Sequence, residues 1–204
     1  MSKNILALAL LAVFFAITGV AAAETNEKII TNFTLMGGQR SLNSSDWKPV
    51  ETQTFIGGDF DFRYESWPAS MFVVLAAGQS SEATGYLSSY PGITFKVKSS
   101  FTEVDVGARK YFNEEQNLRP YLGAGLGMAN YTFDVTATKG TASASAAGSG
   151  SGVGLLLNAG LLWRIERIII GGDVRMLTGS KVSIGSASIT GDYTQLGLIL
   201  GFVF

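Results

Sequence analysis

The chain ends in a strongly apolar segment, Tyr193-Thr-Gln-Leu-Gly-Leu-Ile-Leu-Gly-Phe-Val-Phe204, in which bulky side chains recur at every second position. A period of two is typical of a β-strand and not of a helix. In a soluble protein, an apolar strand with an unpaired edge invites aggregation. In a closed membrane barrel the strand has no free edge, and its large side chains face lipid. The segment therefore predicts the closing strand of a membrane β-barrel.

The same alternation recurs along the chain and predicts eight strands. The predicted strands cover residues 29–38, 54–65, 71–79, 94–111, 120–135, 153–165, 167–177 and 192–204. The connections alternate between short segments (66–70, 112–119 and the region of Glu166) and long ones (39–53, 80–93, 136–152 and 178–191). Short turns at one end and long loops at the other are typical of outer-membrane barrels. We therefore expect an all-β fold, an eight-stranded antiparallel up-and-down transmembrane β-barrel.

Residues 1–23 have the features of a cleaved signal peptide. Lys3 supplies a positive charge, residues 5–20 are apolar, and Ala21-Ala22-Ala23 offers small residues for cleavage. The alternative, an uncleaved anchor helix, is disfavoured because the apolar run is shorter than the ~20 residues that span a bilayer comfortably. We expect export, with residues 24–204 forming one barrel domain in the bacterial outer membrane and the C-terminus in the periplasm.

The composition excludes several classes of function. The chain has 15 Lys and Arg against 16 Asp and Glu, so no basic surface for nucleic acid is expected. It has no cysteine and no histidine. The absence of these residues removes disulfides, Ser-His-Asp hydrolysis, Cys-His chemistry and His-ligated metal sites.

Two of the long connections differ in character. Residues 139–152 are almost entirely glycine, alanine, serine and threonine. Such a segment buries too little apolar area to offset its ordering entropy, which predicts a mobile loop or a hairpin tip that orders only on binding. Residues 181–190 contain Val182, Ile184, Ala187 and Ile189 among small polar residues, and are expected to extend strands seven and eight beyond the membrane.

The two faces of the predicted strands differ in bulk and charge. Alternation alone also fits a soluble barrel with an apolar interior, but eight strands leave an interior too narrow for so many large apolar side chains. We therefore place the apolar face outside and the glycine-rich, charged face in the lumen. The predicted lumen set is Asp59, Asp61, Arg63, Glu65, Glu103, Asp105, Arg109, Asn158, Arg164, Asp173, Arg175 and Gln195.

The lumen residues are expected to form a structural network. Paired carboxylates such as Asp59 and Asp61 also suggest acid–base catalysis or a metal site. However, buried charges persist when they are paired, and acids and arginines recur on adjacent strands. We therefore expect no catalytic, metal or cofactor site and no cofactor. Gly123-x-Gly125-x-Gly127 lies within a strand and lacks the dinucleotide-binding spacing.

Aromatic residues cluster near the ends of the predicted strands that face the periplasm. They are expected to form an interfacial girdle. The set is Tyr64, Trp67, Tyr111, Phe112, Tyr121, Trp163, Phe202 and Phe204.

Two segments resemble a known family. Glu103-Val-Asp-Val-Gly-Ala-Arg-Lys-Tyr-Phe112, a polar turn and Arg119-Pro-Tyr-Leu-Gly-Ala-Gly-Leu-Gly127 are similar to the strand-turn-strand core of the small eight-stranded outer-membrane barrels. This group includes OmpX, the OmpA transmembrane domain and the Opa-type proteins. The resemblance implies that Phe204 is a C-terminal signal read by the barrel assembly machinery. It also implies outer-membrane lipid and lipopolysaccharide as surroundings.

Two functions remain open at this point. The first is a structural or surface-interaction role, adhesin-like, in which long extracellular loops contact host or cell-surface ligands. The second is a narrow pore or conduit for small molecules. Enzymatic activity is not expected, because the enzymes of related outer-membrane groups rely on histidine. The charged lumen favours the first function.

Overall fold

A computed structural model describes residues 28–86, 92–184 and 187–204. The predicted signal peptide, residues 1–23, lies outside this range, as do parts of the predicted connections 80–93 and 178–191. The described residues form a short 3-10 helix at Ser45–Trp47 and eleven strands. The strands are β1 (Ile29–Leu42), β2 (Thr52–Tyr64), β3 (Ser70–Ser80), β4 (Ala83–Tyr86), β5 (Ile93–Tyr111), β6 (Leu118–Lys139), β7 (Ala142–Ile165), β8 (Ile168–Thr178), β9 (Lys181–Ile184), β10 (Ala187–Thr190) and β11 (Tyr193–Val203).

Eight of these strands close into a barrel, as the sequence predicts. The sheet runs β3-β2-β1-β11-β8-β7-β6-β5, and β3 pairs with β5 to complete the ring. Every pairing in the barrel is antiparallel. The first and last strands meet in register from Asn32 opposite Val203 to Leu42 opposite Tyr193. The C-terminal segment is therefore the closing strand, and its edges are both paired.

The connections are short at one end of the barrel, as predicted. β2 and β3, β5 and β6, and β7 and β8 are joined there, and the chain enters β1 and leaves β11 at the same end. The tightest connection is Glu166-Arg167, where Glu166 has a φ of 55°. This left-handed conformation suits a two-residue hairpin turn. No helix in the described ranges is long and apolar enough to cross a bilayer.

The opposite end carries an extension. Of the two alternatives for residues 139–152, a mobile loop or a hairpin tip, the structure has the hairpin, because β6 and β7 remain paired up to Lys139 opposite Ala142. β4 pairs with β5 beside this hairpin. β9 and β10 do form strands, but they pair with each other in a separate two-stranded sheet and do not simply lengthen β8 and β11. Backbone pairing with β5 and β6 orders a segment whose side chains bury little.

Outward-facing positions change from apolar to polar at one level of the barrel. Val104, Met128 and Val153 lie side by side on β5, β6 and β7. The next outward row toward the extension is polar: Thr102, Asn130 and Ser151. Such a switch on three neighbouring strands marks the edge of an apolar belt.

The belt has the height of a hydrocarbon layer. At the other end of β6, Leu118 lies opposite Trp163, and both side chains are exposed. The distance from Leu118 to Met128 along the strand is about 33 Å at ~3.3 Å per residue. With the ~40° tilt usual for such barrels, the height is about 25 Å, which matches the apolar band of outer-membrane barrels.

Candidate functional site

The predicted lumen set divides into a buried group and a rim group. The side chains buried inside the barrel are Asp59, Asp61, Glu103, Asp105, Arg109, Asn158, Asp173, Arg175 and Gln195. Arg63 and Arg164 are half-buried at the rim with the short turns. The placement of Glu65 in the lumen is wrong, because β2 ends at Tyr64 and Glu65 is exposed in the following turn.

Arg175 spans the lumen. It lies on β8, and its Nη1 reaches across the lumen to Asp105 on β5 at 3.5 Å. Its Nη2 contacts Asp59 on β2 at 3.1 Å, and its Nε donates to Asp173 on its own strand at 2.6 Å. Asp173 also accepts a hydrogen bond from the Tyr121 hydroxyl. One guanidinium therefore ties β8 to β2 and β5, each of which lies three strands away around the ring.

A second guanidinium, that of Arg109, lies nearer to the short turns. It contacts Asp59 at 2.6 Å and Asp61 at 3.3 Å. Asp61 also accepts hydrogen bonds from the Tyr111 hydroxyl and, at 2.6 Å, from Asn32 Nδ2. The two carboxylates that resemble a catalytic pair are thus held by a shared arginine.

Two members of the predicted aromatic girdle belong to this network. Tyr111 and Tyr121 are buried in the lumen, so their assignment to the outer surface is wrong. Their parity places them inside, whereas Phe112, Trp163 and Phe204 are exposed at the rim. The hydroxyl groups of the two tyrosines supply donors to carboxylates that the arginines only partly satisfy.

Arg40 forms a third cluster near the extension. Its Nη2 contacts Glu103 at 2.8 Å, and both Nε and Nη2 donate to Gln195 Oε1. Its guanidinium carbon lies 3.7 Å from the ring centroids of both Phe101 and Tyr193. A guanidinium stacked between two aromatic faces has little freedom to move aside.

Acids outnumber arginines in the lumen. In the part of the chain that the structure describes, five buried carboxyl groups face three buried guanidinium groups. One oxygen each of Asp59, Glu103 and Asp105 is buried without a hydrogen-bond partner among the described residues. In the same part of the chain, no group of Asp and Glu residues is arranged to hold a metal ion. The arrangement fills and cross-links the barrel.

Beyond the belt, the interior becomes apolar. Trp47, in the 3-10 helix, is fully buried and lies 4.7 Å from the ring of Tyr131 and 4.9 Å from that of Phe133. Its Nε1 donates to the carbonyl oxygen of Thr190 at 2.5 Å. Val182 on β9 is buried in the same cluster. Loop 43–51 thus folds inward as a cap that joins the first connection to two extension hairpins.

Sequence reasoning missed Arg40 and Trp47, because both lie in the segment 39–53 that was predicted to be a loop. The first strand was predicted to end at residue 38, but β1 continues to Leu42. A signal was present in the sequence: Arg40 and Leu42 continue the inward parity of Met36. For Trp47 there was no periodic signal, because it lies in a 3-10 turn and is buried by contacts that are distant in sequence.

Comparison with known proteins supports the architecture. No protein-family model matches the sequence, and no curated protein matches it. Among solved structures, a major outer membrane protein from Thermus thermophilus aligns with a TM-score of 0.51 and 11% identity, over 87% of this chain and 100% of the other. The chain has the fold of the small outer-membrane β-barrels.

Two other small outer-membrane barrels align over a similar length. Neisserial surface protein A covers 88% of this chain at a TM-score of 0.49 and 12% identity. Ail, the attachment invasion locus protein of Yersinia pestis, covers 88% at a TM-score of 0.45 and 15% identity. Both are aligned over their full length. Identities this low describe the fold of the barrel and not its activity.

Proposed function

We propose that this outer-membrane barrel is an anchor for its extracellular extension, and that the extension binds a partner at the cell surface. The observation that carries this proposal is the contrast between a blocked lumen and an exposed strand edge. Export by residues 1–23 and recognition of Phe204 by the assembly machinery belong to the same proposal. Phe204 is exposed directly after the closing strand, where a receptor has access to it.

The exposed edge belongs to β7. Residues 142–154 of β7 pair with β6 on one side, whereas pairing with β8 begins only at Leu155. β9 packs beside residues 148–154, where Gly148 and Gly150 lie against Ile184 and Ser183. No other described strand pairs with the side of residues 142–147, which is therefore the open part of the edge. Its residues carry small side chains, and none between 142 and 154 is charged or proline. Charged residues and proline usually protect strand edges from pairing. An edge without them is a template for an added strand.

The edge is held in place by a packed core. Gly150 and Gly152 lie against the backbone of Ser183 and Lys181 so closely that a Cβ atom would clash. The adjoining cap of Trp47, Tyr131 and Phe133 fixes the hairpin from the inside. A preorganised edge loses little entropy on binding, which favours affinity.

The alternative function, a narrow pore, needs a path past the lumen network. Arg175 bridges opposite walls, and Arg40 is stacked between two rings. The cavity between Asn32 and Ile199 has a volume of about 10 Å³, no more than a single water. These contacts favour an anchor over a conduit. Single-channel recording of refolded protein should give no conductance steps, and steps that persist in pure protein would contradict the anchor role.

A lysine on the open edge tests the binding role. Ser143→Lys adds a charge to the open part of β7, whereas Thr138→Lys adds the same charge to its cross-strand neighbour on β6, which is paired on both sides. Cells displaying each form are compared for settling with one another and for retention on immobilised host matrix protein. We expect Ser143→Lys to reduce one of these at least fivefold and Thr138→Lys to leave both unchanged. Equal behaviour of the two variants would refute recognition through the edge.

A further inference from the structure

The barrel end with the short turns contains a cavity of about 220 Å³. Seven of the eight barrel strands or their connections contribute to its lining. Its floor is formed by Leu162, Ile169 and the Tyr111 ring, and three arginines surround it: Arg63, Arg119 and Arg164. The cavity is separate from the central network, in which Arg40, Arg109 and Arg175 are buried.

Two of the three rim arginines have unused donors. Arg63 forms an ion pair with Glu114 and is neutralised by it. Arg119 donates from Nε to the carbonyl oxygen of Gln116 at 3.0 Å, and Arg164 donates from Nε to that of Glu166 at 2.7 Å. Within the described residues, neither Arg119 nor Arg164 forms an ion pair, and their Nη groups have no protein acceptor.

The backbone contacts orient these two side chains. A single Nε–H bond to a turn carbonyl restricts each guanidinium and leaves its outer N–H groups available toward the cavity that both residues line. Arg119 is repelled by the positive charge of Arg164, which has no acidic partner among the described residues. The remaining acid of the lining, Glu115, is exposed and forms no ion pair among the described residues. This cavity, called the vestibule below, therefore holds the guanidinium groups of Arg119 and Arg164 without an acidic partner for either.

We propose that this vestibule binds a phosphate group between Arg119 and Arg164. The guanidinium fork matches the oxygens of a phosphate in a bidentate manner, and a charge-assisted pair is stronger than a neutral hydrogen bond. An anion between the two side chains also removes their mutual repulsion. The phosphate comes either from solution or from a phospholipid headgroup.

The lipid source rests on the proposed membrane location. Arg164 lies between Trp163 and Ile165, which are exposed on the outer surface at the same rim. Leu118, next to Arg119, is exposed beside Trp163. Side chains of this kind lie at the level of lipid headgroups, so a headgroup phosphate has access to the rim from the adjacent leaflet.

Binding is measured on the refolded full-length barrel in neutral detergent. Isothermal titration with inorganic phosphate tests the soluble source. Native mass spectrometry after exposure to phosphatidylglycerol, with an uncharged diacylglycerol as control, tests the headgroup. The test variants are Arg119→Gln, Arg164→Gln and their combination. The matched control is Arg167→Gln, which removes the same charge from an exposed turn residue outside the cavity. Heat-dependent gel migration verifies that each form is folded.

We expect the double variant to lose at least tenfold in affinity for the phosphate-bearing ligand, each single variant an intermediate amount, and Arg167→Gln less than twofold. Loss for inorganic phosphate alone supports a soluble ligand, and loss for phosphatidylglycerol alone supports a lipid site. No binding of either probe by the natural protein would overturn the proposal. So would an equal loss in Arg167→Gln, which indicates general charge attraction. These outcomes do not depend on the extension, so they are distinguishable from failure of the anchor role.

Discussion

The molecule has two interiors, one above the other along the same strands. In the barrel, inward arginines and carboxylates are buried among apolar side chains such as Phe72 and Leu156, and the outer surface is apolar. In the extension, the inward side chains are Trp47, Tyr131 and Phe133, and the outward ones are small and polar. The outer surface of one hairpin, β6–β7, therefore reverses from apolar to polar between its two halves, and the buried charges of the described residues lie in the barrel.

This reversal follows from the different surroundings of the two parts: water around the extension and lipid around the barrel. The extension obeys the ordinary rule of a water-soluble protein, in which apolar side chains leave water. In the barrel the surroundings are themselves apolar, so burial brings no such gain. Cohesion there comes from strand closure and from charges that are satisfied inside. The two interiors should consequently respond differently to the same kind of substitution.

The largest effect is expected in the charged interior. Arg175→Met keeps much of the volume but leaves Asp59, Asp105 and Asp173 without their shared cation. Removing one partner from a buried ion-pair network costs about 3–5 kcal/mol, because uncompensated charge remains buried. Urea unfolding in lipid vesicles measures the change in the free energy of unfolding. Arg167→Met, at an exposed turn, is the control and should change it by less than ~0.5 kcal/mol. Similar values for both would show that Arg175 is not holding the barrel together.

The second prediction compares two outward positions on one strand. Leu122 lies near the middle of the apolar belt, and Thr132 lies beyond it. Leu122→Arg should destabilise the protein by about 2–4 kcal/mol, the cost of a charge near the middle of the bilayer. Thr132→Arg should cost less than ~0.5 kcal/mol, because that side chain is in water. The same urea titration measures both, and equal costs would place the belt edge elsewhere.

The difference between the two interiors also explains what the sequence could predict. The barrel depends on alternation, which is local, so its eight strands and most of its lumen charges were predictable. Tyr111 and Tyr121 were misplaced because residue type was weighed above parity, although their parity is that of Arg109 and Gly123. The extension depends on contacts between distant segments, such as Trp47 with Thr190. No periodicity in residues 39–53 indicates those contacts.

The smallest effect is expected in the apolar interior, where one hydrogen bond is removed. Trp47→Phe keeps a ring against Tyr131 and Phe133 but deletes the Nε1–H bond to Thr190. The loss should be about 0.5–1.5 kcal/mol. Because the cap lies outside the barrel ring, we expect the loss to appear as faster amide exchange in β10 and in the part of β6 that belongs to the extension. The global urea midpoint and the heat-dependent gel shift should stay unchanged. A lowered midpoint would mean that the two interiors unfold as one unit, and that the belt edge is not a boundary of cooperativity.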